Sequence, residues 1–159
     1  MVKRADIAVY SPDGDLRLAV EVKARPGASR AWAASTLRNL LAHEALPKVP
    51  YFMLALPDRF YLWKSPRFAP YGGHDLRDGI EPDYEIDTAR ALSHYLDGVR
   101  TPLHHLSGQG LELLVASWLS ELMNSELTRE TAPPDLRWLF DSGLYDAIKK
   151  GSVATEAVV

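Results

Sequence analysis

Apolar and polar residues alternate over 5–10 and again over 16–24, and the two stretches flank Ser11-Pro12-Asp13-Gly14-Asp15. Period-two alternation on either side of an Asp-Gly pair predicts a β-hairpin. The period then changes. Over 28–45, Ala33, Leu37, Leu40, Leu41 and Glu44 fall at helical spacing with Trp32 beside them. Ser29 is placed to cap the start of that helix, and Pro47 and Pro50 end it. Residues 51–56 and 60–63 read as a second strand pair joined by a tight Pro57-Asp58-Arg59 turn. From 64 to 83, Pro66, Pro70, Gly72, Gly73, Gly79 and Pro82 leave little periodicity, as expected of a long surface connection. Residues 84–86 predict a short strand leading into a helix over 87–96. The most apolar helix is expected at 109–123, on Leu111, Leu114, Val115, Trp118, Leu119 and Leu122. Pro133 and Pro134 precede a last helical piece over 135–149, and the stretch from Gly151 is expected to be loose.

This order of elements predicts an α/β fold: a mixed β-sheet flanked by helices, with a mostly helical C-terminal half. The 159 residues, 47% of them hydrophobic, suffice for one sizeable core. Residues 1–150 are therefore expected to form a single domain, with a core at 1–63, a connection at 64–83 and a helical part at 84–150, followed by a flexible tail at 151–159. The chain has no cysteine, which excludes disulfides, zinc-thiolate sites and thiol nucleophiles. No apolar run is long enough to span a membrane, and the opening MVKRADIAVYSPDG meets charge and turn residues too soon for a secretory leader. A cytoplasmic protein is expected. The formal charge of −3 means that binding of a polyanion would need a local basic footprint.

The hairpin carries the candidate chemistry. Leu16, Leu18, Val20 and Val22 point to one face of the second strand; Arg17, Ala19, Glu21 and Lys23 point to the other. A two-residue turn centred on Asp13-Gly14 pairs Ser11 with Leu16, Val9 with Leu18 and Ile7 with Val20. The next pair is Asp6 with Glu21, whose Cβ atoms would then lie about 4.5–5.5 Å apart. Two opposed carboxylates need a counter-charge. Lys23 supplies part of it, and a divalent cation would supply more. Oxygen ligands without His or Cys suit Mg²⁺ or Mn²⁺. Such an ion polarises a phosphoryl oxygen and activates a bound water, and a lysine beside it stabilises the transition state.

Asp6, a short hairpin and then Glu21-Val22-Lys23 resembles the core motif of the PD-(D/E)XK nuclease superfamily, and the order strand, strand, helix, strand matches through about residue 56. The resemblance implies a restriction-endonuclease-like fold and a metal-dependent nuclease that hydrolyses nucleic-acid phosphodiesters, DNA in particular. It makes Asp6 and Glu21 metal ligands, adds the Val22 backbone carbonyl, and makes Lys23 catalytic. The family core also has a helix and a strand before the Asp strand, and that helix often adds an acidic residue. Here those pieces are expected from the C-terminal helices or a partner subunit, and a homodimer is expected. Arg25, Ser29 and Arg30 follow the motif, the last two at a helix start, and are candidate phosphate-binding residues. Tyr61 and Trp63 suit base stacking or core packing. The pairs His104-His105 and His74-Asp75 and the run Ser107-Gly108-Gln109-Gly110 define no site by themselves. The alternative function is a non-catalytic nucleic-acid-binding or assembly module that retains the fold.

Overall fold

The computed structural model describes residues 3–64, 81–96 and 102–159. Two short loops close the first two strand pairs, and a helical crossover links them. Strands β1 (Arg4–Tyr10) and β2 (Leu16–Val22) form the expected antiparallel hairpin. Helix α1 (Arg30–Ala42) begins where Ser29 accepts the Trp32 amide, the cap its sequence position predicts. It carries the chain across the sheet, so that β3 (Tyr51–Ala55) lies parallel to β2. Parallel strands need such a crossover because a tight turn reverses the chain. Strand β4 (Arg59–Lys64) returns antiparallel, with Pro57 and Asp58 in a turn closed by the Leu56 amide on the Arg59 carbonyl.

Beyond 64, most of the expected connection lies outside the described residues, as do His74 and Asp75. Strand β5 (Tyr84–Asp87) pairs with β4 and runs directly into α2 (Thr88–Leu96), as the sequence predicts. His104 and His105 fall in a single 3₁₀ turn at Leu103–His105. Helix α3 (Gly108–Asn124) is capped by Ser107, the helix start that the Ser-Gly-Gln-Gly run marks.

Two expectations are corrected here. The last helical piece is broken into a 3₁₀ turn at Pro134–Leu136, α4 (Arg137–Asp141) and α5 (Leu144–Ile148). At the break, the buried Ser142 hydroxyl donates to the Leu139 carbonyl and accepts the Leu144 amide, satisfying groups that a continuous helix would pair. The expected tail is strand β6 (Ser152–Val158), antiparallel to β1. Val153, Thr155 and Val158 are β-branched and suit a strand, and the edge of β1 supplies the hydrogen bonds that order it.

The result is an α/β fold on a six-stranded mixed sheet of order β5-β4-β3-β2-β1-β6. The parts expected as an N-terminal core and a helical region share this sheet, since β5 and β6 flank it on opposite edges. Ala33 and Leu37 of α1 cover one face, packing with Ala8, Ala19, Phe52, Leu54, Tyr61 and Trp63. The other helices cover the opposite face, where Leu111, Val115 and Leu119 of α3 meet Ile7, Leu18, Val20 and Phe60. Tyr61 and Trp63 are thus core residues, only 1% and 2% exposed, which removes the base-stacking option. No helix among the described residues is long and apolar enough to cross a membrane.

Candidate metal centre

The position of Asp6 depends on two irregularities in the hairpin that cancel. The Gly14 amide bonds the Ser11 carbonyl at 2.9 Å, and the Ser11 amide bonds the Asp15 carbonyl at 2.8 Å. Pro12 and Asp13 therefore take the turn centre, and Gly14 follows with φ 87°, a left-handed conformation that suits glycine. This three-residue loop replaces the expected two-residue turn, so Tyr10 rather than Ser11 pairs with Leu16. Left alone, the shift would place every later pair one residue out of step. A bulge at Arg17 restores the register, and the expected pairs Val9–Leu18 and Ile7–Val20 follow. Asp6 and Glu21 come next along the two strands.

Asp6 reaches across to β2, where its Oδ2 accepts the Val22 N–H at 2.7 Å. The Val22 contact is thus through its amide. Lys23 Nζ lies 3.2 Å from Glu21 Oε1, the side-by-side pair that period two predicts. Burial pushes the Glu21 carboxyl above its usual range, the Asp6 charge adds to this, and Lys23 opposes it.

Two further carboxylates join from elements at the other end of the chain. Glu112 lies on the buried stripe of α3 and is 8% exposed. Glu156 lies on β6. One carboxylate oxygen from each of Asp6, Glu112 and Glu156 falls within 4.8 Å of the other two. Glu112 is pushed up to about 7, first by burial, then by its hydrogen bond and repulsion with Glu156, then by the charges of Asp6 and Glu21. Protonation of this group relieves the repulsion when no cation is present. Three carboxylates, one of them buried, thus lie in reach of one point and offer oxygen ligands of the type that hard divalent cations take.

A local break in strand alternation accompanies this convergence. Ile7, Val9 and Val153 pack on the α3 side of the sheet, whereas Ala5 and Ala157 pack on the α1 side. Residues two apart in a regular strand share a face, so the period fails between them, at Asp6 and Glu156. Glu156 has φ 50° there, in the left-handed region. Distortions of this kind re-aim side chains at the ends of strands.

The candidate phosphate-binding residues have other partners. The Ser29 hydroxyl caps α1. Arg30 pairs with Glu81 at 3.2 Å and Glu85 at 3.3 Å and also donates to the Pro82 carbonyl. The Arg25 guanidinium lies 4.9 Å from the Trp32 ring centre. Glu112 was detectable in the sequence as a carboxylate inside an apolar helical stripe, beside Leu111 and Val115. Glu156 had no such signal, because its place depends on β6 pairing with β1. Comparison of the chain with protein-family models, curated proteins and solved structures returns no match.

Proposed function

We propose that this protein is a metal-dependent nuclease with a restriction-endonuclease-like fold, acting on nucleic-acid phosphodiesters with Mg²⁺ or Mn²⁺. One observation carries the reading: ligand oxygens from β1, α3 and β6 converge within 4.8 Å, with the Glu21–Lys23 pair alongside on β2. The hairpin, the helical crossover and the parallel strand in sequence support the same reading. So does α3, which brings an acidic side chain to the Asp strand from within the chain and without a second subunit.

Asp6, Glu112 and Glu156 would hold the cation, with Glu21 as a neighbouring carboxylate. When bound, the ion supplies Lewis-acid polarisation of a phosphoryl oxygen and lowers the pKa of a coordinated water. The Val22 amide fixes the Asp6 carboxylate in place. Lys23, held against Glu21, places a positive charge where the scissile phosphate gains negative charge. The buried wall of α3 keeps Glu112 away from bulk water, which strengthens its interaction with a cation.

The test is incubation with plasmid, single-stranded DNA and RNA in Mn²⁺. Wild type is expected to cleave at least one of them. Glu21→Gln and Lys23→Ala are each expected to lower the rate at least about 100-fold without changing the fold seen by circular dichroism. The net charge of −3 and the internal pairing of Arg30 favour a second reading, a non-catalytic binding module. No cleavage of any substrate, with no Mn²⁺ bound beside Asp6, would support that reading and overturn the first.

A further inference from the structure

The segment from Lys23 to Trp32 leaves the proposed centre and carries a second recognition feature. Of its three cations, Lys23 pairs with Glu21, and Arg30 pairs with Glu81 and Glu85. Arg25 has no carboxylate partner among the described residues. Its guanidinium lies against the half-buried Trp32 ring at 4.9 Å. Trp32 packs on the α1-side core, and the exposed Arg25 guanidinium lies over its ring.

This stack is anchored. The Gly27 amide donates to Asp58 Oδ2 at 2.9 Å, and the Ala28 carbonyl accepts the buried Tyr61 hydroxyl at 2.9 Å. The Trp32 amide is held by the Ser29 hydroxyl at 3.1 Å. The turn between β3 and β4, strand β4 itself and the helix cap thus each fix the loop at a different point. A guanidinium over an aromatic ring makes a cation–π contact, and its N–H donors and planar face remain chemically suited to a phosphate and to a second π-system. Two residues span at most about 7 Å, so Arg25 is within a nucleotide's reach of Lys23.

We infer that Arg25 stacked on Trp32 is a binding site for an unpaired nucleobase and its phosphate, one step along the strand from the metal centre. The guanidinium face stacks on the base, and its edge donates to a phosphate oxygen. In a duplex the base faces are occupied by their neighbours, so this site selects single-stranded or locally unpaired nucleic acid. It also supplies local positive charge beside four carboxylates that would otherwise repel a polyanion. The inference rests on the nuclease reading for its substrate class, and it adds strandedness to that reading.

The experiment measures fluorescence anisotropy of labelled oligo(dT), oligo(U) and a DNA duplex of the same length, in EDTA, where no cleavage occurs. Wild type is expected to bind a single strand at least about 10-fold more tightly than the duplex. Arg25→Ala and Trp32→Ala are each expected to weaken single-strand binding about 10-fold or more, the range for loss of one stacked base. Arg25→Lys keeps the charge without the plane and is expected to stay weak, whereas Trp32→Phe recovers most of the affinity and guards against a folding defect in Trp32→Ala. The better-bound of the two single strands identifies DNA or RNA. Equal binding of single strand and duplex, or full rescue by Arg25→Lys, overturns the stacking site. So does wild-type protein that binds no oligonucleotide. Mn²⁺ affinity measured by calorimetry and cleavage in Mn²⁺ report on the metal centre separately. A wild type and a Trp32→Ala that cleave single strands equally would sink this inference and leave the nuclease reading standing.

Discussion

Glu112 is a carboxylate buried on a helix face whose neighbours are leucine and valine, and three other carboxylates lie near it. Its carboxyl is pushed up to about 7 from 4.5. Between those values the folded protein holds a proton that the unfolded chain has released. Stability of the metal-free protein therefore falls as pH rises from about 4.5 to 7 and levels off above, by at most about 3 kcal/mol. Urea melts in EDTA across that range check the sign. Glu112→Gln removes the charge and keeps the shape, so at pH 8 it is expected to be more stable than wild type by about 1–3 kcal/mol. At pH 5 the two should nearly coincide. The same variant is expected to bind Mn²⁺ at least about 10-fold more weakly, as calorimetry would show. A variant that gains stability while losing its ligand marks a residue kept for binding rather than for folding.

Among the elements, β6 links stability to the site. It covers the edge of β1 and also brings Glu156 to Asp6. The chain enters β6 at Gly151, where an added Cβ would collide with the Tyr10 carbonyl oxygen and lie 2.8 Å from that of Ile148. Both obstacles are backbone, which cannot swing aside as a flexible side chain does. Gly151→Ala is expected to destabilise the protein by about 1–3 kcal/mol in urea melts. Because the strand that carries Glu156 starts there, weaker Mn²⁺ binding is expected with it. A Gly151→Ala protein as stable as wild type would show that β6 contributes little to the folded state. The hairpin makes a related point. Its three-residue loop and the bulge at Arg17 shift the register in opposite directions, so the expected neighbours Asp6 and Glu21 are obtained through turn chemistry different from that expected.

For the whole molecule, the centre joins the two ends of the chain: Asp6 from its start, Glu112 from α3 and Glu156 from its last strand. A cation bound there ties β1, α3 and β6 together and stabilises the folded state by mass action. Protons compete for the same carboxylates, so Mn²⁺ is expected to raise Tm by several degrees at pH 8 and by much less at pH 5. Differential scanning fluorimetry with and without Mn²⁺ at the two pH values measures this, and equal shifts would count against the Glu112 site. The local patterns of the sequence determined the hairpin, the capped α1, the second strand pair and the apolar α3. Each of these is specified by residues close together in the chain: alternation for strands, 3.6-residue spacing with a Ser cap for helices. The Glu21–Lys23 pair was legible for the same reason, since period two places residues i and i+2 side by side. Only the tertiary structure decided that 152–158 is a strand, that Tyr61 and Trp63 are core, and that Glu112 and Glu156 meet Asp6. Those outcomes depend on which sheet edge is open, which face a helix covers and where two strands lose their alternation. Such relations join residues as much as 150 positions apart (Asp6 and Glu156), and no local periodicity encodes them.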